Sequence, residues 1–415
     1  MTTQNVQNFG NPLTTSNINM TQFNLTCLGQ NTFLDYVNLL NVTAKNNLIS
    51  YIEPYTFNST SKIKYLDLSH NSLRSLSAYA FYGLSNLNNL YLSYNFIQSL
   101  NQSFFYYLNS LETIDLSGNC FSNLTKDSFG SNNLLNLTSL TLTSCGITFL
   151  QDGTFSLLKS LKQLILYGNL IDEITNDAFA GLSNLEYLDL GSNQIYQVDK
   201  NSFLSLIKLK FLFLNSNSLS QISNFTFSML SNLNSLDLNS NSFLESVYLE
   251  DNIFVGLTSL ISLSLSRCSL TTVNGTFFNV DLKNLKNLFL YSLEGINVKI
   301  SQIEAGAFKN LLNLRTLSLF GNEFTSLQQD AFGGLNNLTS LYLGKRDLLV
   351  LQDNALVGLK SLNNVSFVVL LSETTSLNAS QQAQLLKFQL FYTNVTFNVI
   401  QLKDFYQLFG ISVNF

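Results

Sequence analysis

LKQLILYGNLIDEITNDAFAGLSNLEYLDLGSNQIYQVDKNSFLSLIKLKFLFLNSNSLSQISNFTFSML, residues 161–230, decides the fold. It is one template written three times, L-x-x-L-x-L-x-x-N-x-[LI]-x-x-[ILV]-x-x-x-x-F-x-x-L, with a period of about 24 residues. Each copy opens on apolar residues that end in strict alternation, as at Leu185, Leu188 and Leu190, the period of two that marks a short strand. Asn169, Asn193 and Asn217 then turn the chain inward, and Phe179, Phe203 and Phe227 with a further Leu close the blocks. One block alone cannot bury these residues. Stacked blocks share a continuous core, so the sequence specifies a solenoid.

Registering the whole chain on the inward Asn extends the ladder: Asn47, Asn71, Asn95, Asn119, Cys145, Asn169, Asn193, Asn217, Asn241, Cys268, Leu293, Asn322, Arg346 and Leu370. Each Asn brings two donors and an acceptor into a buried turn, where it is expected to satisfy backbone groups of its own and the adjacent block. Cys serves there as a small apolar filler. Arg346 cannot remain buried without a partner, so the turn around Lys345–Asp347 is expected to release its side chain to solvent. The Phe column runs from Phe33 to Phe332 as a buried aromatic spine. The half-block after each Asn has room for only one or two helical or 3-10 turns. Extra residues fall near Ser131–Asn133, in 243–254 and in 292–308, and insertions in such arrays map to loops on one face.

The expected organisation is an N-terminal tail with a degenerate capping rung over 1–36, the repeat array over 37–370, and a C-terminal cap over 371–415. The segment SLNASQQAQLLKFQLFY (376–392) is expected to form an amphipathic helix of that cap.

The chain has 415 residues, 46% hydrophobic and 11% charged, with net charge −5. Its 21 Lys and Arg form no dense run, which gives nucleic acid or an anionic membrane little to bind. No stretch reaches the roughly 18 apolar residues of a membrane span. The start, MTTQNVQNFGNPLTTSN, lacks the basic and apolar regions of a secretory signal. That fits either a cytosolic chain or a secreted one whose true start lies upstream. Cys27, Cys120, Cys145 and Cys268 form no C-x-x-C pair, so neither zinc nor redox chemistry is indicated, and a Cys120–Cys145 disulfide is disfavoured on geometry.

Segments such as IKYLDLSHNSLRSLSAYAFYGLSNL (63–87) resemble the typical extracellular class of leucine-rich repeat proteins, which includes Toll-type ectodomains, adhesion receptors and matrix proteoglycans. The resemblance covers about residues 13–370. It implies an α/β solenoid: a right-handed horseshoe with a parallel β-sheet on the concave face and short helical or 3-10 turns on the convex face. It further implies a non-catalytic module that binds a protein ligand on the concave sheet.

Between the strand leucines, aromatic residues gather in three expected ligand-binding clusters: Ile165, Tyr167, Tyr187, Phe211 and Phe213; Tyr65, Tyr91 and Tyr94; and Phe289, Tyr291, Phe320 and Tyr342. Exposed aromatics in a polar surround are the composition of interface hot spots, although cross-strand pairing alone also favours them. Asp67, Asp115, Asp189 and Asp237 share one outward position, are too far apart to share a metal, and are expected to be solvated surface. The single histidine, His70, has no nucleophile or acid arranged around it, and no phosphate-binding glycine loop is present. No catalytic residue, metal or cofactor is therefore expected. Thirteen N-x-[ST] sites, among them Asn19, Asn41, Asn136, Asn337 and Asn364, avoid the inward ladder and fit a glycosylated extracellular or cell-surface protein. Two other readings stay open: a cytoplasmic scaffold of the same fold, and a fragment recognising lipid or glycan. The pattern specifies no oligomeric state.

Overall fold

The computed structural model describes residues 9–409 apart from 31, 101, 130–133, 242–251, 276–277, 279–281, 294–295, 297, 328, 371–372 and 374. The extra residues at Ser131–Asn133 and most of 243–254 lie outside the described residues. The chain divides into two units, Met1–Phe211 and Leu212–Phe415.

In the first unit each block opens with a three-residue strand, and successive strands pair in parallel. The register sets Leu66, Leu90, Ile114, Leu140, Leu164 and Leu188 level with one another, each stacked on the next. These residues are buried, and their neighbours on either side face outward, as the pleat requires. The ladder of strands starts at Asn17–Asn19, which pairs with Asn41–Thr43 in the same register. On the far side the chain runs through turns, a 3-10 helix at Gln102–Phe105 and two-residue strands such as Glu173–Ile174 against Gln197–Val198. Phe33 stacks on Phe57 at 5.4 Å, and Phe105, Phe129 and Phe155 follow one another at 5.8 Å. Each such side chain, taken fully out of water, contributes roughly 1.5–3 kcal/mol. The blocks pack closely here. Gly83 has φ +96°, and a Cβ on it would lie 2.4 Å from the Phe57 carbonyl oxygen, so only glycine fits.

In the second unit the strands Ser235–Asp237, Ser262–Ser264, Asn287–Phe289, Thr316–Ser318, Ser340–Gly344, Asn364–Val369 and Thr396–Gln401 pair in parallel in that order. Phe254, Phe278 and Phe308 continue an aromatic column of their own. Each unit is thus a solenoid of leucine-rich-repeat type, a parallel sheet backed by turns. At the position of Arg346 the backbone winds into a 3-10 turn, Lys345–Leu349, and the guanidinium Nε reaches Glu373 at 2.9 Å with its side chain mostly in solvent.

Beyond the array, Ala379–Phe391 forms a helix (α1) capped by Asn378, whose side chain accepts from the Gln381 amide at 2.9 Å. The helix lies where the sequence places it, but its amphipathic character does not match. Only Gln381 and Phe388 are buried, while Leu386, Leu390 and Phe391 face solvent. The strand Thr396–Gln401 then runs without a break into a second helix, Leu402–Phe409 (α2). Among the described residues no helix is long and apolar enough to cross a membrane.

Candidate ligand-binding surface

The side chains that face outward are held in columns by a buried polar framework. Asn71 donates to the carbonyls of Ala44 and Leu68 and accepts from the Ile49 amide, and Asn95 and Asn119 repeat the pattern one block later each time. Asn322 does the same in the second unit. The residue before each ladder position from Asn47 to Cys268, and before Asn322, has a left-handed backbone, as at Asn46, His70, Tyr94, Ser240 and Arg267. Where Cys145 and Cys268 occupy the ladder, the thiol donates to the carbonyls of Leu116 and Leu238, and burial pushes both thiols up to about 12. Both are free thiols, as are Cys27 and the exposed Cys120.

The aspartate column is bound into this framework, which corrects its reading as solvated surface. Asp67, Asp115, Asp189 and Asp237 each accept a hydrogen bond from the backbone amide two residues on, at 2.9–3.0 Å. The Ser69 and Ser117 hydroxyls add a second bond at 2.6 Å. Each carboxylate therefore brackets the end of its strand as an Asx turn. Asp67 is buried, and desolvation raises the Asp189 carboxyl above the usual range. Among the described residues no group of three His, Cys, Asp or Glu could hold a metal.

In the first unit two aromatic clusters stand on this frame. Tyr65 and Tyr91 occupy different columns of adjacent strands and meet diagonally, their rings 5.3 Å apart. Burial raises the Tyr65 phenol, and the Asp67 charge adds to the rise. Tyr94 does not join them on the strands. It sits on the left-handed turn, stacked on His70 at 4.5 Å and 11°, over Gly118, where a Cβ would lie 2.7 Å from the Tyr94 ring. In the other cluster, Tyr187 and Phe211 share a column with centroids 6.0 Å apart. Ile165 lies level with Asp189 and is half-buried, and Tyr167 is exposed on the turn. A Lys210–Glu186 ion pair at 2.6 Å borders the pair and holds the glutamate below its ordinary range. Phe213 belongs to the second unit.

The third cluster departs from expectation. Phe289, Tyr291, Phe320 and Tyr342 are buried, because α2 lies across them. Leu402, Phe405, Tyr406 and Phe409 fall at i, i+3, i+4 and i+7, one face of a helix, and all four join the cluster. Tyr291 and Phe320 stack at 4.8 Å and 4°, and Phe405 meets both edge-on, at 5.8 and 4.7 Å. Tyr342 receives Phe405 and Phe409 at 5.0 and 5.6 Å, and Phe289 receives Phe409 at 5.1 Å. These edge-to-face contacts place ring hydrogens over ring faces, the favoured aromatic geometry. Burial pushes the phenols of Tyr291, Tyr342 and Tyr406 up. Beside the helix a groove of about 380 Å³ remains open, bounded by Phe213, Asp237, Ser264, Phe289, Tyr291 and Phe409.

Sequence reasoning missed the seat of α2, although the spacing of Leu402, Phe405, Tyr406 and Phe409 carried the signal. It also missed a second asparagine ladder on the edge leading into the strands. There Asn86, Asn136 and Asn184 donate to the carbonyls of Ser61, Asn109 and Lys159 in the preceding blocks, as Asn284, Asn313 and Asn337 do in the second unit.

The model of the leucine rich repeat family matches residues 37–96, 85–136, 135–195, 184–243, 297–348 and 312–366, more than half of the chain. A comparison with curated proteins gave no match. Among solved structures the chain is similar to TLR13 in complex with ssRNA13, at 23% identity and TM-score 0.68, over 90% of this chain and 52% of that one. It is similar to a leucine-rich repeat protein of Leptospira interrogans, at 22% and 0.67, over 94% of this chain and 97% of that one. It is also similar to Drosophila Toll in complex with Spatzle, at 22% and 0.68, over 85% and 53%. The chain spans about half the length of the TLR13 and Toll chains, and at these identities the likeness is one of fold.

Proposed function

The chain belongs to the leucine-rich repeat family, and we propose that it is a non-catalytic ectodomain-type module that engages a protein ligand on the sheet face of its first unit. The observation that carries this reading is a contrast between the two units. The aromatic cluster of the second unit is covered by the chain's own helix, whereas in the first Phe211 remains exposed on the sheet beside half-buried Tyr65, Tyr91 and Tyr187, with Tyr94 and Tyr167 exposed on the adjoining turns. Rigid, partly exposed aromatics on a fixed sheet are the anchors of protein interfaces. Neighbouring polar residues such as Asn89, Thr113 and Ser139 supply a hydrogen-bonding rim.

Tyr187→Ser with Phe211→Ser tests this directly. Both side chains are only partly buried, so the change is expected to cost about 1–2 kcal/mol of stability, within a measurable but tolerable range. Immobilised wild-type chain, the double variant and a turn-side control, Leu135→Ser, are compared for the proteins each retains from the source cells and their medium. A protein lost at least tenfold with the sheet-face variant and kept by the control is the expected ligand. Identical retention on all three removes the sheet face of the first unit from consideration.

The N-x-[ST] sites support passage through the secretory pathway. Asn19 and Asn41 stand exposed on strands of the sheet face, so glycans there would border the ligand surface. The four free thiols favour a reducing compartment instead and support a cytoplasmic scaffold as the second reading. Intact mass of the native protein before and after glycosidase treatment separates them. A loss of mass on glycosidase treatment is expected for the ectodomain; an unchanged mass selects the scaffold.

A further inference from the structure

We propose that a basic cleft on the edge leading into the strands of the second unit is a binding site for a sugar that carries a sulfate or phosphate ester. The inference stands on the second unit alone and does not depend on the ligand assigned to the first. Lys283, Lys286 and Arg315 line a cleft of about 320 Å³, and among the described residues no carboxylate lines it. Lys286 and Arg315 immediately precede the strands Asn287–Phe289 and Thr316–Ser318, and the Arg315 amide donates to the Lys286 carbonyl at 2.8 Å. Their side chains therefore leave neighbouring strands side by side. Like charges on strands about 4.8 Å apart repel, and an anion bound between them reverses that cost.

The first unit shows the ordinary arrangement at the same step of the repeat. There a cleft beside Asn136, Asn184 and Thr138 carries Glu112 and Lys162 together, and further along that column Glu186 takes Lys210 as an ion pair at 2.6 Å. Acid and base balance in that column, whereas in the second unit its charged residues, Lys286 and Arg315, are both cations. The neutral lining defines the rest of the ligand. Asn284, Asn313 and Asn337 direct their amide nitrogens to the carbonyls of Thr258, Lys283 and Leu312 at 2.8 Å each, which leaves the amide oxygens of Asn284 and Asn337 to accept from a ligand. The lining is wholly polar, which suits hydroxyls, and it offers no aromatic ring on which a nucleobase could stack. Arg315 presents two parallel donors to a tetrahedral oxyanion, and Lys286 adds a point charge. A sugar ester meets both demands, with an anion for the cations and hydroxyl donors for the amide oxygens.

The test is saturation-transfer NMR on the full chain, with N-acetylglucosamine 6-sulfate, N-acetylglucosamine 6-phosphate and unmodified N-acetylglucosamine as probes. One or both esters are expected to bind roughly tenfold or more tightly than the unmodified sugar, and the preferred ester names the anion. Lys286→Gln with Arg315→Gln is expected to weaken that binding by a similar factor, while Lys162→Gln in the balanced cleft of the first unit leaves it unchanged. Esters that bind no better than the plain sugar, or that the double variant retains, overturn the proposal. Inorganic sulfate or phosphate displacing the ester at equal affinity means an adventitious ion only and overturns it too, as does tighter binding of the dinucleotide UpU. Should the double variant fail to fold, lysine acetylation of the unmodified chain decides. Saturating ester is expected to shield exposed Lys286 and leave exposed Lys162 reactive, and equal labelling of Lys286 with and without ester overturns the proposal.

Discussion

Asn169→Ala is expected to destabilise the first unit by about 4 kcal/mol or more, the largest effect of any ladder substitution. The side chain is buried and fully used. Its amide donates to the Leu142 and Leu166 carbonyls at 2.8 and 2.9 Å, and its carbonyl accepts from the amides of both Cys145 and Ile147 at 2.9 and 3.1 Å. The second acceptance comes from the backbone amide of Cys145, which occupies the preceding ladder position. Alanine removes these bonds, and a longer one to the Tyr167 carbonyl at 3.5 Å, from a buried site, and each buried orphan costs roughly 1–3 kcal/mol. Asn169→Asp should be no milder, since it keeps the acceptor, loses the donors and adds a buried charge. Urea denaturation gives the loss in stability. Because stability in an array is a sum of local terms, hydrogen exchange should show the loss concentrated between Leu142 and Ile171. A change below 1 kcal/mol would mean that water or a shifted backbone satisfies those groups.

The ladder was legible for a simple reason. An Asn that must pair with two blocks recurs at the block period, and so do the Leu and Phe residues that need each other's cover. Spacing alone places Leu164 on Leu188 and Phe129 on Phe155. The aspartate column was equally periodic but was misread. Its tetrapeptides, LDLS, IDLS, LDLG and LDLN, place Asp two residues before a turn amide, the Asx arrangement, and solvated surface was inferred from the shared outward position when the local hydrogen bond decides.

The sheet-face clusters mark where legibility ends. Periodicity fixes which side chains leave the sheet, and it placed Tyr187 and Phe289 equally well. Whether an outward aromatic meets solvent or another part of the chain depends on segments outside the repeat frame. Phe289 and Phe320 are covered because a terminal segment with no repeat signature folds back on them. Burying each α2 anchor gains roughly 1.5–3 kcal/mol, while ordering each of its residues costs roughly 1.5 kcal/mol. With four anchors on eight residues these are comparable terms, a balance that no pattern in the sequence discloses. The same limit explains α1. Its position was anticipated and its Asn378 cap follows a local rule, but which of its faces meets the array was not anticipated.

Asp347→Asn is expected to stabilise the second unit by about 2–4 kcal/mol at pH 8 and to change it little at pH 4. Asp347 lies in the turn Lys345–Leu349 and is buried, and that burial raises its carboxyl from 3.8 to about 7. The Gly344 amide, which donates to it at 2.7 Å, opposes the rise, and the nearby charge of Glu373 adds to it. Since the folded value lies above the unfolded one, the folded state holds its proton more tightly. Below pH 3.8 both states are protonated and the contribution is fully present. Between 3.8 and about 7 the unfolded chain ionises while the folded chain does not, so stability falls as pH rises, and the loss is complete above about 7. Asparagine keeps an acceptor for the Gly344 amide and has no proton to lose. The variant should therefore match wild type in acid and exceed it in mild alkali. Other carboxylates contribute their own pH dependence to both proteins, so the quantity to measure is the difference between their urea midpoints from pH 4 to pH 8. A difference that grows with pH confirms a carboxyl held neutral at the end of the array. A flat difference would mean that Asp347 is ionised in the folded chain, held by the Gly344 amide and by water admitted to the turn.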